Sequence, residues 1–378
     1  FPGSMLAMVA ILQSILYCAA CMFFLNEVRQ SRLVNFAWPI AIALTINPTL
    51  ALNTISIGYE LPTASFSLIG VAALMRKYRT GNSKLVDSNL LIFATSFAFS
   101  TFMQPRLAIL AFFAILIWLL SKFPLKSAVI GLITSMTIVL VGPAVMMFRN
   151  SNAMGFTAIS TNLGVTMNIG AGDEATGGYN GKYNGVPCPE AVGNEAQVDS
   201  AKVKCVLVWY AKNPIKFLKL SFNKAIYYWS PWYGPVANGT MARNPWRINH
   251  PLNETIKTQS GAEMVFGNTG KVVSWMWLLM SLGLLFWGAR FLWQSGGLER
   301  LWGITAITLV VLNWLSSIAT IGDHRFRIPT MTLSVILQVV GLTSLLISKR
   351  KKLVGPSTDV TWEGIRWKRG SQTDNLQP

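Results

Sequence analysis

Acidic residues are scarce in this chain. Fifteen Asp and Glu stand against 32 Lys and Arg, and only 12% of the 378 residues are charged. A soluble multidomain protein carries about twice that charged share, so a water-covered surface is excluded for most of the chain. Histidine is limited to two residues and cysteine to four. No second His or Cys stands at ligand spacing from His324, so a zinc-type site is not indicated. Also absent are a P-loop, a dinucleotide fingerprint, a nucleophile elbow and a metalloprotease helix. Tandem repeats and the alternation of a membrane barrel are missing as well. The net charge of +17 comes with no RNA- or DNA-binding motif. It reads as a charge bias toward one membrane face plus a basic tail, not as a nucleic-acid surface.

What remains is apolar. Hydrophobic residues make up 52% of the chain, and the mean hydropathy is +0.43. Stretches able to cross a bilayer fall at 4–25, 36–55, 58–75, 86–103, 107–123, 126–148, 271–293, 300–321 and 328–348. A spanning helix needs roughly 20 apolar residues, fewer where its ends snorkel. Backbone groups in lipid must be satisfied within their own segment, so these stretches are expected as helices. Asn47-Pro48 and Gly142-Pro143 are the only hints of breaks. The expected fold is an all-α polytopic membrane protein with about nine transmembrane helices and one large extracytoplasmic loop.

Charge assigns the sides. The connections Arg29–Arg32, Arg76–Lys84, Lys122–Lys126 and Arg290–Arg300, with the run Lys349-Arg350-Lys351-Lys352, all fall on one face. That face is cytoplasmic by the positive-inside bias. Residue 1 and the connections at 56–60, 104–106, 149–270 and 322–327 then fall outside. The expected organisation is a first bundle of six spans at 1–148, a loop domain at 149–270, three last helices at 271–348 and a basic cytoplasmic tail at 349–378. A bacterial-type plasma or inner membrane is the expected location. The chain opens Phe1-Pro2-Gly3, without Met or a charged n-region, and its first apolar stretch is too long for a signal sequence. It therefore reads as a piece with sequence ahead of it.

Within the loop domain, 205–229 reads as a helix with Pro214 suited to a helix start. Lys212, Lys216, Lys219 and Asn223 share one face; Leu218, Phe222 and Ile226 line the other. Two readings stand side by side: a basic amphipathic helix lying on anionic lipid, or an ordinary half-buried surface helix. Tyr227-Tyr228-Trp229 with Trp232 and Tyr233 resembles an aromatic belt at the interface. Cys18 and Cys21 read as small buried apolar residues of the first span. Cys188 and Cys205 share the outer loop and would bridge in an oxidising compartment.

Three arginines break the charge bias. Arg325 and Arg327 lie in Gly322-Asp323-His324-Arg325-Phe326-Arg327-Ile328-Pro329, where Pro329 suits the first turn of the last span. Arg106 follows Gln104-Pro105 at another outer helix start. Guanidinium forks match phosphate oxygens, and a helix amino terminus favours anions. Arg325, Arg327, Arg106 and His324 are thus candidates for a lipid phosphate, against snorkelling arginines with Asp323 as a local partner. Glu60, just before Pro62, suits a sugar hydroxyl or a metal, or else an ion pair with Arg106 or a cap on its own helix. A divalent cation stays open on that basis. The stretch from Ile159 to Tyr179 is rich in Gly, Asn and acids; Asn162, Asp173, Glu174 and Tyr179 are candidates for a polyhydroxylated ligand, against a turn-rich loop with surface acids.

These residues resemble those of GT-C-type integral membrane glycosyltransferases, such as the protein O-mannosyltransferase-like and lipid A aminoarabinose transferase-like enzymes. Ser160-Thr161-Asn162…Gly170…Ala175-Thr176-Gly177-Gly178-Tyr179 is similar to the family's STNGG…IGN…ATGGY loop. Arg325-Phe326-Arg327-Ile328-Pro329 is similar to RYRLP, and Gln104-Pro105-Arg106 lies near an Arg-Pro pair of relatives. Leu163 departs from the family's Gly, and Ala171-Gly172 replaces an Asn-rich stretch. The resemblance implies transfer of a sugar from a polyprenyl-phosphate carrier to an acceptor at the outer face. It also implies a catalytic acid in a first outer loop, which would precede Phe1. A transporter or flippase of lipid-linked glycan, and a non-catalytic relative, are the competing expectations.

Overall fold

The computed structural model describes residues 3–55, 57–81, 83–178, 185–229, 263–322 and 324–354. Among them every regular element is helical. The first bundle comprises α1 (Gly3–Arg29), α2 (Ala37–Ile46), α3 (Pro48–Ile55), α4 (Glu60–Arg79), α5 (Ser88–Met103), α6 (Leu107–Leu120), α7 (Leu125–Val139) and α8 (Val141–Met154). The loop domain holds α9 (Leu163–Ile169), α10 (Glu195–Lys212) and α11 (Pro214–Tyr227). The last helices are α12 (Glu263–Ser295), α13 (Gly297–Ala319) and α14 (Ile328–Val354), with the 3₁₀ turn His324–Arg327 before α14. Among the described residues five stretches are long and apolar enough to cross a membrane: Ala7–Arg29, Leu125–Met154, Trp275–Ser295, Gly297–Ala319 and Arg325–Ser348. Val34–Ile46, Ser88–Met103 and Leu107–Leu120 are apolar but shorter.

Three boundaries differ from expectation. The stretch 36–55 is two helices, because Pro48 has no amide hydrogen to continue the ladder and Asn47 turns extended, at φ −60° and ψ 115°. Asn47 Oδ1 accepts from the Leu50 amide at 3.1 Å, which caps α3. The pair still runs antiparallel along α1: Tyr17 donates to the Leu44 carbonyl and Gln13 to the Asn53 carbonyl. The helix expected over 205–229 is likewise two, parted at Asn213-Pro214. The helix that carries the span expected from 271 reaches back to Glu263, while its stretch apolar enough to cross a membrane is Trp275–Ser295.

Helix α4 packs against α1, α5 and α14 and sits at the centre of the molecule. One core joins Phe24, Leu68, Val71, Phe93, Phe97, Trp302 and Ile336. Cys21 lies in this core, but Cys18 is exposed on the outer side of α1, against expectation. Cys188 and Cys205 form a disulfide. It ties the segment before α10 to that helix.

Connections assigned by charge to one face meet at one end of the bundle. There Glu27 pairs with Arg79 at 2.9 Å, Lys77 with Asp87 at 2.9 Å, and Glu299 accepts from the Arg32 amide at 3.0 Å. The opposite end gathers the connections at 59–60, 104–106 and 320–327. The helices linking the two ends approach closely where α12 crosses α14. A Cβ on Gly288 would meet the Leu337 carbonyl, and one on Gly341 the Leu284 carbonyl. Small residues let such helices pack by direct backbone contact. Gly341→Leu is expected to force the pair apart and destabilise the protein by about 1–3 kcal/mol; a lowered unfolding midpoint of the purified protein checks this, and an unchanged one contradicts it.

Candidate anion site at the arginine end

Three arginines from two connections converge here, with different surroundings. Arg325 pairs with Glu60, the first residue of α4, and its Nη2 donates to the Tyr59 hydroxyl at 3.2 Å. The ion pair expected between Glu60 and Arg106 is not formed; Glu60 pairs with Arg325 instead. Arg106 is half-buried, stacked on the Phe326 ring 4.4 Å from its centroid. Its donors meet neutral oxygens: the Ser317 hydroxyl at 3.4 Å, the Phe326 carbonyl at 3.2 Å, and the Gln104 carboxamide oxygen at 3.0 and 3.1 Å. Arg327 is only 4% exposed. It lies 5.7 Å over the Trp229 ring, and its Nε has no acceptor. Among the described residues no carboxylate pairs with Arg106 or Arg327, so three cations share one acid.

The floor of this cluster is polar and buried. Asn313 projects from α13, and its Nδ2 lies 2.9 Å from the Tyr228 hydroxyl, 2.7 Å from the Phe326 carbonyl and 3.0 Å from Thr330 Oγ1, with two hydrogens to share among them. Tyr228 and Trp229 are fully buried and pack against Trp314. They are thus core residues beside the arginines and not an interfacial belt; Trp232 and Tyr233 lie outside the described residues. Sequence reasoning missed Asn313, although a lone Asn inside an apolar span is a usable signal of function.

The loop after α8 reaches this end through glycines. Gly177, at φ +103°, leaves 2.8 Å between a would-be Cβ and Asn223 Cβ. The Gly322 amide donates to the Gly177 carbonyl at 2.9 Å. A Cβ on Gly322 would strike the Lys224 backbone, and one on Gly170 the Thr320 carbonyl. Only residues without a side chain allow three backbones to meet so closely. The glycine-rich stretch therefore clamps the arginine turn to α11. Its other candidates sit apart: Asn162 and Glu174 are exposed, and Asp173 pairs with Lys216 at 2.7 Å on the surface. Tyr179 and the side chain of His324 lie outside the described residues, as does Asp323.

Lys224 is the second residue that the sequence hid. It is fully buried, donating to the Thr320 carbonyl at 2.7 Å and to the Tyr210 hydroxyl at 3.0 Å. It thereby ties α10 and α11 to the connection that carries Arg325 and Arg327.

Among the described residues no group of three or more His, Cys, Asp or Glu stands together. The donors at the arginine end are cationic or neutral hydrogen-bonding groups, a set that fits an anion and would repel a metal ion. No family model matches the chain, and no curated protein or solved structure matches it either.

Burial pushes the Lys224 ammonium down to about 8 and the Tyr210 phenol up to about 12. In the unfolded chain a lysine keeps its proton to about pH 10.4. Between pH 8 and 10 the unfolded state thus binds more protons, and stability rises with pH through that window; Tyr210 stays protonated across it. Lys224→Met is expected to remove a rise on the order of 2 kcal/mol. Unfolding midpoints of both forms against pH check this, and parallel curves contradict it.

Proposed function

We propose that this protein is a membrane glycosyltransferase of GT-C type. It moves a sugar from a polyprenyl-phosphate carrier to a protein, lipid or glycan acceptor at the extracytoplasmic face. One observation carries the reading: Arg327 is enclosed at one end of a helical bundle beside Arg106 and Arg325, and among the described residues no carboxylate pairs with it. A buried cation left without its counter-charge costs several kcal/mol. An anionic ligand offsets that cost, and a lipid phosphate arrives at this depth by lateral diffusion.

The proposed topology has nine spans, with α2 and α3 together making the second and α7 with α8 the sixth. The arginine end faces outward, in a bacterial-type plasma or inner membrane. The disulfide between Cys188 and Cys205 supports that orientation, since such bonds persist in oxidising compartments. In the transfer, the bond from the anomeric carbon to the phosphate oxygen breaks and the acceptor hydroxyl forms the new one. Its proton passes to a carboxylate. The arginines stabilise the charge that develops on the departing phosphate without reorganising. Glu60 keeps Arg325 oriented while leaving the other two cations for the ligand.

The break at Asn47-Pro48 is the feature that favours the alternative, a flippase of lipid-linked glycan. The test uses the protein in proteoliposomes with a synthetic polyprenyl-phosphate-linked hexose. Arg327→Ala is expected to cut release of polyprenyl phosphate by about 10²–10³-fold. Arg327→Lys is expected to restore little, since an ammonium lacks the planar fork. Release unchanged in Arg327→Ala, or movement of the intact sugar lipid across the membrane without cleavage, contradicts the transferase reading.

A further inference from the structure

Helix α11 has three distinct sides. Leu220 and Lys224 face inward and are buried. Ile215, Leu218 and Phe222 face outward and are 81%, 66% and 63% exposed. Lys216 and Lys219 lie beside that apolar strip and are exposed, as is Lys212 at the end of α10. The sequence left two readings open, a helix lying on lipid or a half-buried surface helix; of Leu218, Phe222 and Ile226 only Ile226 packs on the core. Leu207 and Val208 on α10 are also exposed.

Two observations identify what covers this strip. The first is continuity with the membrane-spanning exterior: Trp314 of α13 donates to the Ala225 carbonyl at 3.1 Å, and its neighbour Leu315 is 54% exposed. The apolar outside of a spanning helix therefore runs up to α11. The second is charge. Lysines bordering the strip suit the phosphate layer that adjoins the acyl region, whereas the apolar residues suit the acyl boundary.

We infer that α11 is a membrane-surface helix that reads anionic lipid headgroups. Ile215, Leu218 and Phe222 enter the acyl boundary, and Lys212 and Lys219 contact the phosphates; Lys216 is shared with Asp173. The inference rests on the chain spanning a membrane and is independent of any transferase activity. Because Lys224 ties the same helix to the arginine turn, headgroup binding would also fix the depth at which that turn meets the bilayer.

The experiment uses the full chain in nanodiscs, in a C18A/C21A background. An environment-sensitive fluorophore is placed at Ile215→Cys, at Phe222→Cys or, as an aqueous control, at Lys204→Cys. With anionic lipid at about one third, the labels at 215 and 222 are expected to be quenched by brominated acyl chains and shielded from aqueous iodide; the control shows the reverse. Brominated phosphatidylglycerol is expected to quench better than brominated phosphatidylcholine at equal mole fraction. K212Q and K219Q should each lower that preference about fivefold. Iodide access at 215 and 222 equal to that at 204 overturns the inference, and so does equal quenching by the two lipids. A soluble protein partner as the true occupant would produce the first of these results.

Discussion

The structure turns on a guanidinium that is enclosed with no carboxylate paired to it among the described residues. Arg327 has Trp229 on one face and no carboxylate among the described residues. Left alone, such a group is a liability that large apolar proteins avoid. The surrounding architecture nonetheless fixes it in place. The 3₁₀ turn before α14 sets its backbone, Asn313 ties that turn to α13 and to Tyr228, and Arg106 lies against Phe326 one residue away. So many independent contacts converging on an unfavourable charge make sense if the charge is completed by something that comes and goes. The anionic ligand proposed above would do that, and the fixed geometry would mean little reorganisation when it arrives.

Charge is partitioned along the bundle. At one end every deeply buried carboxylate has a basic or amide partner: Glu27 with Arg79, Asp87 with Lys77, Glu299 with Arg32. At the other end, among the described residues, three arginines stand against one carboxylate, Glu60, which pairs with Arg325. Beyond these pairs the first end also holds a surplus of cations, most of them exposed. At the second the surplus arginines, Arg106 and Arg327, are half-buried and buried. Glycines at 170, 177 and 322 bring α11 and the loop after α8 directly onto the arginine end, so these segments support the cluster and do not merely hang beside it.

The helices were legible because apolar runs are long and their ends carry cations, turn residues or prolines. The convergence of Arg106, Arg325 and Glu60 was legible in outline, since three connections assigned by charge to the same face must lie at one end of any bundle. Which acid pairs with which arginine was not, because that depends on distances across helices. Lys224 was illegible for a different reason. It sits among lysines that are exposed, and only the packing of α11 on α13 turns it inward. Tyr228 and Trp229 misled in the same way: an aromatic run looks alike whether it faces lipid or fills a core. The glycine-rich loop was noticed for its composition, but close backbone approach is a property of the partner as much as of the glycine, and no local pattern announces it.

The most direct test is whether the positive end takes up a phosphate. Native mass spectrometry of the purified protein in neutral detergent, titrated with a short-chain polyprenyl monophosphate and with the matching polyprenol, separates headgroup from tail. Saturable one-to-one binding of the phosphate, with the alcohol bound far more weakly, is the predicted result. Equal binding of the two lipids would contradict the account, because the enclosed arginine would then contribute nothing to recognition.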